Sequence, residues 1–208
     1  MSKLKIVIVS LFALLLAIPA LAGTITTTYG GNDLTGSGNG FTTSVQGATI
    51  IDFEGGAPSY FSGNFAVVSG SVSGKYAAPT GDNSKYISTP NPGNGSTGSY
   101  TISLPTLANY FGLYWGSIDT YNTIAFYDKN GGLIQSFSGS QFSQAQSRYV
   151  NFFSSVPIAK IVLSSSQFAL EADNMAYAMT PEPTSMLLLG SGITGIAGLS
   201  RLRRRKKA

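Results

Sequence analysis

The chain has 208 residues, a formal charge of +4, and neither cysteine nor histidine. Those absences exclude a disulfide framework, a histidine base, a cysteine nucleophile and a zinc site of the usual His/Cys kind. The positive charge belongs to the chain ends: from Gly23 to Thr180 five basic residues stand against eight acidic ones, a net −3, which argues against a nucleic-acid-binding face.

Lys3 and Lys5 open the chain, and Ile6 to Ile18 is an almost unbroken apolar run. Pro19 ends it, and Ala20-Leu21-Ala22 supplies the small residues that a signal peptidase accepts. Residues 1–22 therefore read as a signal peptide cut after Ala22, with Ala20 and Ala22 as the cleavage residues. The alternative, an N-terminal membrane anchor, suits the sequence less well, because the run is short for a span.

Residues 23–47 are rich in Thr, Gly, Ser and Asn with scattered apolar positions, and predict a low-complexity lead-in or short edge strands. From residue 48 to 180 the pattern changes. Short β-branched or aromatic runs alternate with Gly, Asn, Ser and Pro turns. The strand candidates are 48–54, 64–68, 85–88, 99–104, 109–115, 123–127, 133–137, 149–153, 158–163 and 174–178. Asp128-Lys129-Asn130-Gly131-Gly132 joins two of them as a hairpin turn. No helical periodicity is sustained between the chain ends. The expected fold class is all-β: a jelly-roll-like β-sandwich flanked by an N-terminal signal helix and a C-terminal transmembrane helix.

Three groups of residues in this domain are candidates for chemistry. Phe111, Leu113 and Trp115 share one strand face, while Tyr110 and Tyr114 share the other. Tyr110, Tyr114 and Tyr121 would make a sugar-stacking platform; the plainer reading is that one face is core and the other packs under a loop. Asp52 and Glu54 share a face, as do Glu171 and Asp173 near the domain's end. If the end strands are neighbours, these carboxylates and Asn174 would suit a structural Ca²⁺. Plain surface charge is the ordinary reading of the same residues, and a glycosidase acid/base pair the least favoured.

The C-terminal segment, residues 181–208, has three ordered parts. Pro181-Glu182-Pro183 comes first, and the uncharged run Thr184 to Ser200 follows. Arg201, Arg203, Arg204, Arg205, Lys206 and Lys207 close it. Seventeen uncharged residues sit at the short end of the roughly 17–25 that span a bilayer, and the basic cluster should stay in the cytoplasm.

This tail resembles the PEP-CTERM sorting signal. The resemblance implies export by a Gram-negative bacterium and processing near Pro181, Glu182 and Pro183 by exosortase, a membrane transpeptidase. It also implies species that make an extracellular polysaccharide matrix, the setting of a biofilm. The stretch Trp115-Gly116-Ser117-Ile118-Asp119-Thr120-Tyr121-Asn122 is similar to a segment that recurs among exosortase-dependent surface proteins, as is the late pair Asp173-Asn174. The expected protein is thus a non-enzymatic surface or matrix protein, structural or adhesive. Its partners would be signal peptidase, exosortase and the membrane. A carbohydrate-binding module for extracellular polysaccharide is the alternative, and a secreted hydrolase is the weakest.

Overall fold

The structure, a computed structural model, describes residues 23–142 and 147–180. The signal peptide, the uncharged run, the sorting motif and the basic cluster lie outside the described residues. Among those described, no helix is long and apolar enough to cross a membrane.

The described chain is almost wholly β. Its strands are β1 (Ile25–Tyr29), β2 (Asn32–Asp33), β3 (Phe41–Thr42), β4 (Thr49–Ile51), β5 (Phe61–Gly63), β6 (Ala66–Val68) and β7 (Tyr86–Thr89). They continue with β8 (Gly98–Trp115), β9 (Asn122–Tyr127), β10 (Leu133–Ser138), β11 (Arg148–Ser165) and β12 (Leu170–Ala178). All but β2 and β3 join one antiparallel sheet.

Two strands of eighteen residues, β8 and β11, make that sheet sandwich-like. They pair along both halves, Arg148–Phe153 with Trp115–Tyr110 and Lys160–Ser165 with Ser103–Gly98, with register shifts between. Pro105 and Pro157 lie at that irregular stretch, where a residue without an N–H does the least damage to a ladder. On one side of the bend, β1 flanks β11 and β12 flanks β8. On the other side, β9 flanks β11 and β5 flanks β8. The two halves therefore form two layers from the same strands.

Ring contacts across the layers build the core. Phe126 of β9 lies 4.9 Å from Phe152 of β11 and 6.0 Å from Phe111 of β8, centroid to centroid. Phe137 of β10 lies 5.4 Å from Phe152, and Trp115 lies 5.3 Å from Phe142. Phe111, Leu113 and Trp115 are fully buried, as their alternation predicts for one core face.

Three expectations need correction. The predicted strands 99–104 and 109–115 are halves of β8, and 149–153 and 158–163 are halves of β11. Their prolines read as breaks but mark a bend. Of the two readings of residues 23–47, the short edge strand is the one seen and the loose lead-in is corrected: β1 pairs with β11 from Ile25↔Ser154 to Tyr29↔Val150, with Ile25 buried. Ile-Thr-Thr-Thr-Tyr pairs well because β-branched residues suit a pleated edge, even without apolar alternation. The layers are also joined by shared strands, which the jelly-roll expectation did not include.

The core geometry yields a prediction. Phe152→Ala should lower unfolding stability by about 3–5 kcal/mol, the range for a large buried ring. Leu133→Ala, at an exposed position, should stay within about 0.5 kcal/mol. Urea unfolding of both variants measures the difference; equal midpoints would contradict this core.

Candidate functional site

β12 lies at the centre of one layer and carries the domain's buried acids. One edge of β12 pairs with β8; the other pairs first with β7, through Leu170–Ala172, and then with β4, through Met175–Tyr177. Asn174 sits between these partners with a φ of 45°, a left-handed conformation that Asn adopts more readily than most residues. Its Nδ2 donates to Asn39 O at 2.8 Å, and its carbonyl accepts from the Tyr149 hydroxyl at 3.1 Å.

Glu171 and Asp173 face the long 69–85 loop. Ala77 N donates to Glu171 Oε1 at 2.8 Å, and Glu171 Oε2 is buried without a partner. Burial, followed by Asp119, pushes the Glu171 carboxyl up to about 7. Asp173 meets Asp82 and Ser84 from the loop. The Ser84 hydroxyl donates to Asp82 Oδ1 and lies 3.2 Å from Asp173 Oδ2. A serine carries one hydroxyl hydrogen. With that hydrogen committed to Asp82, the longer contact is satisfied when Asp173 itself carries a proton. Burial, then the neighbouring Asp82, pushes Asp173 up to about 9, in the same direction.

The expected Ca²⁺ ligands are not brought together. β4 does pair with β12, but Asp52 and Glu54 follow the end of β4 and are exposed. Asp52 Oδ1 accepts from Glu54 N, and Glu54 Oε1 accepts from Lys85 N at 2.6 Å. Glu171, Asp173 and Asn174 hold loops from the buried side instead. Among the described residues no three acidic side chains form a group able to hold a metal.

The tyrosine platform is corrected in part. Tyr110 and Tyr114 are buried, at 0% and 1% exposure, and a buried ring cannot stack on a sugar. The 31–47 segment and the 69–85 loop cover them. Tyr110 Oη bonds Thr43 Oγ1 at 2.7 Å and donates to Asn151 Oδ1 at 2.8 Å. Tyr114 donates to Thr80 O and packs its ring 5.5 Å from Phe41. Gly40, with φ 60°, lies against the Tyr114 ring where a Cβ would overlap it.

Tyr121 differs from these two. It is half-buried, and it lines two open clefts at the end of the sandwich where β12 begins. The first, about 300 Å³, is bordered also by Lys75, Tyr76, Asp119, Phe168 and Glu171. The second, about 600 Å³, is bordered by Asn64, Thr97, Ser99, Thr123 and Ser164 among others. Tyr121 Oη donates to Phe168 O at 2.9 Å. Beside it Asn122 is fully buried: its Oδ1 accepts from Asp119 N, and its Nδ2 donates to Ser165 Oγ and Ala169 O. Asn122 thus holds the 117–121 turn against the 165–169 segment, which explains the order Asp119-Thr120-Tyr121-Asn122 in local terms.

Hydroxyls, amides and aromatic rings along an open cleft suit hydrogen bonding and stacking with a polyol. The acids suit acid/base chemistry less well. Glu171 Oε1 is tied to backbone and its Oε2 is closed to solvent, so this carboxyl anchors the loop. Sequence reading missed Asp82, Ser84, Asn109 and Phe168. Asp82-Asn83-Ser84 carried only a turn signal, and the other two stand in no recognisable spacing.

Residues 180–206 match the family model of the PEP-CTERM protein-sorting motif. The chain therefore carries that motif, which implies an exported, exosortase-dependent protein made as a membrane-anchored precursor. Comparison with curated proteins finds no match. Among solved structures, the enzymatically active domain of bacteriophage CBA120 tailspike protein 4 is similar at 14% identity and a TM-score of 0.34. The alignment covers 71% of this chain and 24% of that one, and so weak a likeness carries no argument.

The buried acids give a stability prediction. Both folded-state values are raised, so the stability they contribute is full below the unfolded values near pH 4 and is lost as pH rises. The loss runs to about 7 for Glu171 and about 9 for Asp173. Between pH 7 and 9 the protein should lose at most about 1.4 kcal/mol per pH unit, and Asp173→Asn should be flat there. Urea midpoints across that window decide it; stability that rises with pH would refute a protonated Asp173.

Proposed function

We propose that the chain is an exosortase-processed protein of the cell surface or extracellular matrix, whose β-sandwich has a structural or adhesive rather than enzymatic role. The observation that carries this reading is the placement of the sorting motif, which begins on the residue that ends the domain. Thr180 N donates to Asn109 Oδ1 at 2.6 Å, Thr180 Oγ1 donates to the same oxygen, and Asn109 Nδ2 donates to Thr180 O at 2.8 Å. Processing near Pro181 would leave the folded domain whole, with its last residue still held. The absence of histidine and cysteine and the anchoring role of Glu171 favour a non-enzymatic domain.

A second reading, binding of extracellular polysaccharide, is favoured by the meeting of two polar clefts at Tyr121. It replaces the buried Tyr110 and Tyr114 with Tyr121, Tyr76 and Phe168 as the aromatic surface. Base–aromatic and sugar–aromatic contacts both draw on the exposed face of a ring, and a hydroxyl-rich rim fixes orientation.

Two measurements test these readings. In a host with active exosortase, the mature protein should end close to Pro181-Glu182-Pro183 by intact mass; mature protein ending at Ala208 would overturn the sorting reading. Saturable binding to the host's extracellular polysaccharide that Tyr121→Ala weakens at least several-fold would establish the second reading. Binding that is unchanged in that variant would remove the cleft from it.

A further inference from the structure

The sandwich has two unlike ends. At one end lie Tyr121 and its clefts. At the other, β12 finishes at Ala178, β9 finishes at Tyr127, and the first half of β8 finishes near Ser103. The register makes these neighbours: Lys160 of β11 stands opposite both Ser103 and Tyr127, Leu133 stands opposite Tyr127, and Ala178 stands opposite Tyr110. This second end exposes three large apolar side chains: Leu107 at 39%, Leu133 at 59% and Met179 at 60%. Lys160 Nζ sits 4.3 Å from the Tyr127 ring centroid beside them.

Chain length decides what these side chains face. Asn109 fixes Thr180 to the domain. Only Pro181-Glu182-Pro183 separates Thr180 from the uncharged run that starts at Thr184. Four residue steps reach at most about 14 Å when fully extended. The headgroup layer on one side of a bilayer is itself roughly 5–8 Å thick. A run at the short end of spanning length leaves no apolar residues spare to lengthen the tether. While the tail is in the membrane, the exit end is therefore held within about 6–9 Å of the headgroup surface, even with the linker fully extended.

We propose that this end of the sandwich is a lipid-facing surface, which rests on the phospholipid headgroups of the membrane that holds the precursor. Leu107, Leu133 and Met179 would enter the interface. Lys160 and Tyr127 are the residue types enriched at that depth, a cation with an apolar stem and an amphipathic ring. A few scattered apolar side chains hold a surface only weakly without a second anchor. Removal of the tail would then release the domain, so contact and release follow from one cut. The proposal rests on the anchored-precursor reading.

The chain's lack of cysteine allows clean single-site labelling. Leu107→Cys, Leu133→Cys and Met179→Cys, with Val72→Cys and Tyr29→Cys as exposed positions elsewhere, would each carry an environment-sensitive dye. Each full-length chain is reconstituted into phosphatidylcholine/phosphatidylglycerol vesicles containing shallow spin-labelled lipid. Dyes at 107, 133 and 179 should lose most of their emission, and dyes at 29 and 72 should lose little. Equal quenching at all five sites, or none at 107 and 133 while the chain resists carbonate extraction, would overturn the lipid-facing surface alone. A chain that carbonate extracts would overturn it together with the anchored precursor.

Discussion

The pairing of β8 with β11 is the constraint on which the rest depends. Every other strand of the main sheet except β4, β6, β7 and β10 hydrogen-bonds directly to one of these two. Because each runs through both layers, the layers cannot separate or slide without breaking ladder bonds in both. A cysteine-free domain gains from this what a disulfide would otherwise supply, a restraint between its two sheets. The cost is a bend in each strand, and the prolines at 105 and 157 fall where the register already shifts. Ring contacts from Phe126 and Phe137 to Phe152 then close the space that the bend encloses.

The same bend gives the domain a buried polar stripe. β12 lies against β8 with Ala172 opposite Trp115 and Ala178 opposite Tyr110. One face of β12 can serve the core, and the other must be covered by chain that lies outside the main sheet. The 69–85 loop and the 31–47 segment do this, and their backbones bring polar groups with them. Glu171, Asp173, Asn174, Tyr110 and Tyr114 supply the partners. Buried acids are tolerated here because protonation removes the charge that burial would penalise most. The loop is thus held by side chains whose bonds depend on proton occupancy.

Much of this was legible in the sequence, for reasons that differ by region. Phe111, Leu113 and Trp115 alternate with Tyr110, Gly112 and Tyr114, so period two identified both the strand and its core face. Asp128 to Gly132 carries turn chemistry strong enough to fix a hairpin alone. The tail was legible because it is an ordered linear signal. By contrast, β1 has three consecutive threonines and no alternation, so only its pairing with β11 shows that it is structural. For Tyr110 and Tyr114 a sugar platform and packing under a loop both stayed open, because sequence gives the side of a strand and not what covers it. Asp82 and Asp173 are 91 residues apart, and no local pattern could join them. The acidic pairs 52/54 and 171/173 had equal spacing but unlike surroundings, one past a strand end and one beneath a loop.

The position of β12 also ties the tail to the clefts. Nine residues run from Leu170, beside the Tyr121 clefts, to Ala178, two residues before the sorting motif begins. At about 3.3 Å per residue the strand spans roughly 26–30 Å. It is paired on both edges, so it cannot tilt within the domain. A tail fixed at one end therefore sets the direction in which the other end points. With Thr180 held by Asn109, that direction is outward in the anchored precursor proposed above. The clefts would then meet the extracellular space first. That arrangement is the one the proposed surface role requires, with the contact surface distal to the anchor and a stiff strand between them.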